Sequence, residues 1–330
     1  MKSTLTLVAV CLSLCSFAQK PSIYSDQPLA HTFSIVAYDP VTGDMGVAVQ
    51  SHWFSVGTIV AWGEAGVGVI ATQSFVNPEF GPKGLSLMKQ GMSAQEVLNK
   101  LIKVDKGSAY RQLGIVDAKG NAATFTGENC IEAAGHWLGD GYATQANMMK
   151  NDQVWSAMAV AFEASKGQPL AERLVAALEA AQGVGGDIRG QQSAALLVVS
   201  AQNTGKPWID RKVDLRVDDH TAPIVEIKRL LKVHRAYEFM NRGDVQMEEG
   251  KIEEALQSYN AASTMFPENL EMKFWTAVNL ANIGKVEEAL PMFQAIFKKN
   301  EDWKELLKRL PKSGLLKVSN SVFEKILRLE

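Results

Sequence analysis

Cysteine is scarce in this sequence, and its placement limits how the fold can be held together. Cys11, Cys15 and Cys130 are the three cysteines among 330 residues. Two of them lie in an N-terminal segment typical of a cleaved signal, so the mature chain keeps one and forms no internal disulfide. Cys130 lies between Asn129 and Ile131 with no adjacent base, which favours a small buried residue over a catalytic thiol. The fold therefore depends on its apolar core.

Strong charge and the familiar catalytic signatures are also missing. The net charge is −2, and no basic run with interleaved aromatic residues argues for a nucleic-acid partner. The sequence has no Gly-x-Ser-x-Gly, no phosphate-binding loop, no His-Glu-x-x-His and no paired cysteines for zinc. The histidines are scattered without metal-ligand spacing, at positions 31, 52, 136, 220 and 234. Nothing here indicates a metal or an organic cofactor.

The N-terminus is typical of an exported protein. Lys2 precedes an apolar run over residues 5–14, and Ser16 and Ala18 are small residues at the positions that a signal peptidase reads. The run is too short to span a bilayer as a permanent anchor. We therefore expect a signal peptide over residues 1–18, a linker over 19–31 and a periplasmic or secreted protein with no membrane span.

The next stretch, residues 32–51, has the pattern of a β-hairpin. Apolar residues alternate on both sides of a turn over residues 39–44, where Gly43 can adopt a positive φ. In an antiparallel pair, Thr32 at the start of the first strand and Ser51 at the end of the second lie at the same edge of the sheet. A hydroxyl nucleophile and polar partners could meet there, although these residues alone favour an ordinary edge-strand residue at Thr32.

The remaining strands and helices of the first two thirds alternate in pairs. Two further hairpins are predicted over residues 58–72 and 112–126, and a capping box of Ser93 with Glu96 begins a helix between them. Paired helices between antiparallel strands cannot form a parallel sheet, and they favour helices covering the outer faces of stacked sheets. The predicted class is α+β, with a four-layer α/β/β/α sandwich over residues 32–220. Other predicted elements are helices at 152–165 and 169–182 and strands at 193–200 and 213–217.

Two glycine-rich passages carry candidate polar ligands. If residues 142–148 are extended, Gln145 and Asn147 present their amides on one face, where Asp140 could orient them. The alternative is a polar sheet face bonded to a neighbouring loop. The second passage, residues 185–193, contains Asp187 and Arg189. We interpret them first as a structural ion pair and second as components of a site.

The C-terminal third has a helical repeat. The sequence of residues 250–256 recurs at 284–290, a spacing of 34 residues. This period is that of the tetratricopeptide repeat, in which each unit is a helix–turn–helix. We predict an all-α domain over residues 221–330 with about two such repeats. It is either a small helical bundle with a structural role, or a surface that binds a protein partner or a second copy of the chain.

Together these pieces resemble the domain of unknown function 1028 family, which is assigned to the N-terminal-nucleophile hydrolase superfamily. The resemblance covers roughly residues 31–218. Its ordered pieces are residues 32–37, 39–40, 42–43, 46–49, 56–57, 65–68, 71–73, 77–78, 81, 110–112, 139–142, 145–148, 185–187 and 189–193. The superfamily fold is the α/β/β/α sandwich, in agreement with the pattern of elements, and its members often assemble into oligomers.

The resemblance implies a mechanism in which the first residue of the mature domain is both nucleophile and base. Thr32 is the matching position, and its free α-amine, with an ordinary pKa of about 8, would accept the proton. Because signal cleavage leaves residues 19–31 in front of Thr32, activity requires cleavage of the His31–Thr32 bond. The implied supporting residues are the hydroxyls of Ser34 and Ser51, the amides of Gln73, Asn77, Gln145 and Asn147, the carboxylates of Asp140 and Asp187, and Tyr142 in the substrate site.

Two hypotheses for the function follow. The first is an amidohydrolase with a threonine nucleophile, acting on an unknown amide or peptide-like substrate in the cell envelope, with the helical repeats as an interaction domain. The second is a catalytically inactive sandwich that acts as a periplasmic or secreted ligand-binding or scaffold module. An intact His31–Thr32 bond in the mature protein would favour the second.

Overall fold

The computed structural model describes residues 29–329, so the predicted signal peptide and residues 19–28 of the predicted linker lie outside the described residues. The strands are β1 Leu29–Ala30, β2 Thr32–Tyr38, β3 Met45–Ser51, β4 Ala61–Glu64, β5 Gly68–Phe75, β6 Arg111–Asp117, β7 Ala122–Thr126, β8 Gly135–Gly139, β9 Tyr142–Ala146, β10 Ser193–Val199 and β11 Arg211–Val217. The helices are α1 Phe80–Lys89, α2 Ala94–Val104, α3 Val154–Ala164, α4 Leu170–Gly183, α5 Pro207–Asp210, α6 Pro223–Glu248, α7 Ile252–Met265, α8 Leu270–Asn282, α9 Val286–Lys299, α10 Asp302–Ser313 and α11 Asn320–Leu327.

The strands form two antiparallel sheets. In the first sheet the order is β1-β5-β6-β7, with β4 also paired to β5, and in the second it is β11-β10-β3-β2-β9-β8. The opening hairpin is confirmed, since β2 pairs with β3 from Thr32 opposite Ser51 to Tyr38 opposite Met45. The second predicted hairpin is also formed, but β4 begins at Ala61 because residues 56–58 make a 3₁₀ turn instead of a strand.

Alternation along the strands divides the apolar residues among three cores. Val36 and Val47 of the second sheet share a buried cluster with Val69 and Val116 of the first. The opposite face of the second sheet packs on α3 and α4, and the opposite face of the first sheet packs on α1 and α2. Since successive side chains point to opposite faces, Thr32 and Ser34 lie on the same face as Val36 and point toward the first sheet. The predicted capping box at the start of α2 is present.

The C-terminal region is all-helical and joins the rest of the chain through α6. Ile224 and Ile227 of α6 belong to the buried cluster that covers the second sheet. Farther along α6, Arg235 forms a two-pronged ion pair with Glu172 of α4, at 2.8 and 2.9 Å. The later helices bury two further apolar clusters of their own. Within residues 29–329, no helix combines the length and the apolar character that crossing a bilayer would need.

Candidate functional site

The chain crosses from one sheet to the other immediately before Thr32. Leu29 and Ala30 pair with Phe75 and Ser74 of β5 in the first sheet, whereas Thr32 begins β2 in the second. His31 makes the crossing and is 2% exposed, and Thr32 is fully buried. The last three residues of the predicted linker are therefore part of the folded domain.

The carbonyl oxygen of His31 accepts two hydrogen bonds from side chains. The Ser51 hydroxyl donates at 2.6 Å, and Nη2 of Arg189 donates at 2.8 Å. Hydrogen bonds from a charged donor are roughly twice as strong as neutral ones. This carbonyl belongs to the peptide bond whose nitrogen is that of Thr32, so the two donors polarise the bond that precedes the candidate nucleophile.

Arg189 is held in place by a buried carboxylate, which confirms the predicted ion pair. Its Nη2 lies 2.7 Å from Oδ2 of Asp187 and its Nε lies 3.0 Å from Oδ1. The Asp187 side chain is fully buried and also accepts the backbone N–H of His52 at 3.2 Å. Asp187 thus orients the guanidinium.

The Thr32 hydroxyl and carbonyl have different surroundings. Oγ1 donates to the carbonyl of Ala30 at 2.7 Å, and within the described part of the chain no basic side chain bonds to it. The Thr32 carbonyl accepts Nε2 of Gln73 and the backbone N–H of Asn147, both at 3.1 Å. These contacts fix the backbone on the C-terminal side of the His31–Thr32 peptide bond, which we call the junction.

A network of buried amide side chains extends from the first sheet to this junction, and its hydrogen bonds determine how each amide group is oriented. Nε2 of Gln112 donates to the carbonyl of Ala146 at 2.8 Å. Because a carbonyl can only accept, Oε1 of Gln112 is left to accept, and it receives Nδ2 of Asn147 at 2.8 Å and Nε2 of Gln73 at 2.7 Å. Oδ1 of Asn147 therefore faces Nδ1 of His31, at 2.8 Å. His31 is accordingly the tautomer that carries its proton on Nδ1.

The environment of His31 also favours its neutral form. Burial is the main cause that lowers the pKa of the imidazole from its ordinary value of 6.5, and the Arg189 charge acts in the same direction. The hydrogen bond with Asn147 and the Asp187 charge oppose this shift without reversing it. At neutral pH the ring is therefore an uncharged hydrogen-bond donor.

A second group of buried polar contacts lies two residues farther along β2, at Ser34. Its hydroxyl donates to Oε1 of Gln73 at 2.5 Å and accepts Nε2 of Gln145 at 2.6 Å. Oε1 of Gln145 has no hydrogen-bond partner although it is buried. A side chain at Gly114 would place its Cβ 2.5 Å from that oxygen, so any larger residue on the facing strand would displace the Gln145 amide.

Strained backbone surrounds the junction. The four described residues other than glycine with a positive φ are Ser55, Ser74, Ala133 and Met148. Ser74 is opposite Ala30, Met148 follows Asn147, and Ala133 accepts a backbone hydrogen bond from the residue after Met148. Such conformations cost about 1–3 kcal/mol each and concentrate at functional sites.

Most of the predicted site residues come together here. The side chains that converge on the junction or its amide network are those of Thr32, Ser34, Ser51, Gln73, Gln145, Asn147 and Asp187. The predicted alternation is confirmed for residues 143–147, since Gln145 and Asn147 point between the sheets.

Three predicted residues lie elsewhere. Oδ1 of Asn77 accepts the backbone N–H of Glu79 in the turn before α1. Asp140 is exposed in the turn between β8 and β9, at the end of β2 opposite to Thr32. The Tyr142 ring points to the helix side of its sheet and packs on Phe162, with ring centroids 4.8 Å apart.

His31 and Gln112 were not among the predicted site residues, and Arg189 was expected first as a structural ion pair with Asp187. Each stands in or beside a stretch that the sequence singled out, but their contacts span 158 residues for Arg189 and 116 for His31, which no local pattern encodes. Cys130 is a free buried cysteine, as predicted, and burial raises the pKa of its thiol. Within residues 29–329, no group of three or more His, Cys, Asp or Glu side chains is placed to hold a metal ion.

Comparison with known proteins gives one family. The family model described as "Family of unknown function (DUF1028)" matches residues 32–227. A crystal structure of protein SPO2555 from Silicibacter pomeroyi, itself assigned to DUF1028, is 33% identical over 62% of this chain and 85% of that chain, with a TM-score of 0.55. None of the curated proteins matches the chain. The chain therefore belongs to the DUF1028 family.

Proposed function

We propose that this protein is an amidohydrolase of the N-terminal-nucleophile type, which releases its own nucleophile, Thr32, by cleaving the His31–Thr32 bond. The observation that carries the proposal is the His31 carbonyl, which is buried beside the Thr32 hydroxyl and bonded to Ser51 and Arg189 at 2.6 and 2.8 Å. Donors aimed at the oxygen where negative charge develops are the largest single contribution in many acyl-transfer enzymes.

Self-cleavage would proceed as an acyl shift followed by hydrolysis. The Thr32 Oγ1 attacks the His31 carbonyl carbon, and the Ser51 hydroxyl and the Arg189 guanidinium bind the resulting oxyanion. The C–N bond breaks, the hydroxyl proton goes to the departing Thr32 nitrogen, and an ester joins His31 to Oγ1. Water then hydrolyses the ester, which leaves a carboxylate on His31 and a free amine on Thr32.

The same groups would serve the external reaction. The Thr32 α-amine, with an ordinary pKa near 8, is suited to take the hydroxyl proton near neutral pH. Ser51 and Arg189 would bind the oxyanion of the substrate carbonyl, and Asp187 would hold the guanidinium. Gln73 and Asn147 would act as positioning residues, because they fix the Thr32 carbonyl and touch no reacting atom.

Two further observations support this assignment. The DUF1028 match begins at Thr32, the residue that would become the new N-terminus. Apolar clusters between the two sheets and on the outer face of each are those expected of a four-layer α/β/β/α sandwich, the fold of the N-terminal-nucleophile hydrolases.

We assign the helical region a separate role as an interaction domain of tetratricopeptide-like repeats. Helices α7 and α9 begin at Ile252 and Val286, each two residues after the repeated glycine. Its partner would be a protein or a second copy of the chain. With the signal-like N-terminus, the proposed location is the periplasm or the exterior of the cell.

A catalytically inactive binding module is the second candidate. The observation that favours it is the Thr32 hydroxyl, which is fully buried and bonded to the Ala30 carbonyl instead of to a base. In that case the amide network would be a structural feature of a ligand-binding domain.

Intact mass and N-terminal sequencing of the purified full chain, followed over time, separate the two candidates. We expect a species that begins at Thr32 in the wild type and in Thr32→Ser, and none in Thr32→Val, which keeps the branched shape but lacks the hydroxyl. Circular dichroism should show all three folded. A folded wild-type protein that keeps the His31–Thr32 bond would contradict the amidohydrolase and leave the binding module.

A further inference from the structure

The residues on the acyl side of the proposed cleavage site are bound like a ligand. Leu29 and Ala30 add a short antiparallel strand to β5, opposite Phe75 and Ser74. They are joined to β2 by His31 alone, and they belong to the other sheet. Strand addition of this kind is a common way for proteins to bind extended peptides.

We propose that the acyl site accepts an extended peptide whose last two residues resemble Ala30 and His31, and that the enzyme cleaves the amide after the histidine-like residue. This inference rests on the proposed function and names its substrate class. The acyl group of any external substrate must reach the same carbonyl position, between Ser51 and Arg189, that the His31 carbonyl occupies in this structure.

The position of the His31 ring defines the first subsite. Nδ1–H donates to Oδ1 of Asn147 at 2.8 Å, and the ring stands edge-on to Phe75, with centroids 5.6 Å apart and planes at 86°. Oδ1 of Asn147 would lose this donor if a phenyl ring took the place of the imidazole. A site built to receive a hydrogen bond discriminates against analogues that lack the donor, because its own polar group is then left unpaired.

The position of Ala30 defines a small second subsite. Its side chain is fully buried in the cluster between the two sheets, together with Val49 and Val76. Interiors of this kind are close-packed, and added side-chain volume forces neighbouring residues to move. We therefore expect alanine to be preferred to a large residue at this position of the substrate.

The charge beside the carbonyl predicts binding of the product. Hydrolysis converts the acyl carbonyl to a carboxylate, and one of its oxygens would remain at the donor position of Arg189. The free peptide acid Leu-Ala-His should therefore compete with substrate.

The test uses the full chain after it has matured to a species that begins at Thr32. The probes are the anilides of acetyl-Leu-Ala-His, acetyl-Leu-Ala-Phe, acetyl-Leu-Ala-Glu and acetyl-Leu-Trp-His. We expect kcat/KM for the first to exceed that of each of the others by at least about fivefold, because Phe and Glu leave the Asn147 acceptor without its donor and Trp is too large for the Ala30 position. Acetyl-Leu-Ala-His acid should inhibit competitively.

A matched variant and two failure patterns complete the test. Asn147→Leu, which removes the acceptor, should reduce the preference for histidine over phenylalanine to within about threefold, measured as the ratio of the two kcat/KM values on the same matured protein. A chain that matures but hydrolyses the four anilides alike, or none of them, overturns the substrate class and leaves the proposed function standing. A chain that never begins at Thr32 overturns both.

Discussion

Replacing Ser51 by alanine separates a catalytic from a structural role for its hydroxyl. The variant removes one of the two side-chain donors to the His31 carbonyl, the one at 2.6 Å, and leaves Arg189 at 2.8 Å. As a structural hydrogen bond, the lost interaction is worth about 1 kcal/mol of folding free energy. As an oxyanion donor, it is worth about 2.7–4 kcal/mol of activation free energy, or a rate decrease of about 10²–10³. For self-cleavage of Ser51→Ala we expect the larger effect, the rate decrease of about 10²–10³.

The assay is the rate of appearance of the species beginning at Thr32, measured by intact mass on protein that circular dichroism shows to be folded. Ser193→Ala is the matched control, because Ser193 is the direct partner of Ser51 on β10 and is equally buried. Its hydroxyl accepts the backbone N–H of Val56 and donates to the carbonyl of Trp53, without touching His31. Equal rates for Ser51→Ala and wild type, or equal slowing in Ser193→Ala, would refute the reasoning.

Two further predictions concern pH and packing. Burial lowers the pKa of His31 from 6.5, so its contribution to the docking of residues 29–31 is complete above pH 6.5 and is lost as the pH falls toward the lowered value. In uncleavable Thr32→Val protein, the protection factors of the amides of residues 29–31, in which the intrinsic pH dependence of exchange is removed, should fall on acidification, and a second change, His31→Phe, should abolish this fall. In α6, Gly243→Ala would place a Cβ 2.4 Å from the ring of buried Tyr259, and we expect thermal unfolding to show a loss of about 1–3 kcal/mol. Gly183→Ala, at the end of α4 where an added Cβ would meet nothing within 4 Å beyond its own turn of helix, should be neutral or slightly stabilising, and equal effects of the two would contradict this account.

The sequence was most informative where local periodicity carries the signal. The alternation over residues 32–51 predicted the hairpin and placed Thr32 beside Ser51, and both are present in the register of β2 and β3. Alternation also put Gln145 and Asn147 on one face. These predictions worked because a strand has a period of two, so the face of each side chain follows from its position alone.

The contacts between the sheets could not be predicted in the same way. The approach of Gln112 to Asn147 depends on how two sheets pack after each has formed, and the approach of Arg189 to His31 depends on how the loop before β10 lies beside the start of β2. The short strand at residues 29–30, inside the predicted linker, could not be predicted for a related reason. A two-residue strand has too few residues for periodicity, and its pairing with β5 comes from a partner more than forty positions away. Asp140 was expected to orient the amides, but it lies in a turn at the other end of its strand pair.

The buried amides also determine how the two sheets stand against each other. Apolar packing is non-directional, and a face of valines and alanines can shift along a facing sheet with little change in buried area. Gln73 and Gln112 of the first sheet, in contrast, bond to the backbone carbonyls of Thr32 and Ala146 in the second, at 3.1 and 2.8 Å. If one sheet slid along the other by one pleat, each of these hydrogen bonds would break. Each buried amide would then lack a partner, at a cost of about 1–3 kcal/mol for each group. The amides thus fix the position of one sheet relative to the other, and they hold Thr32 of the second sheet at a fixed distance from β5 of the first.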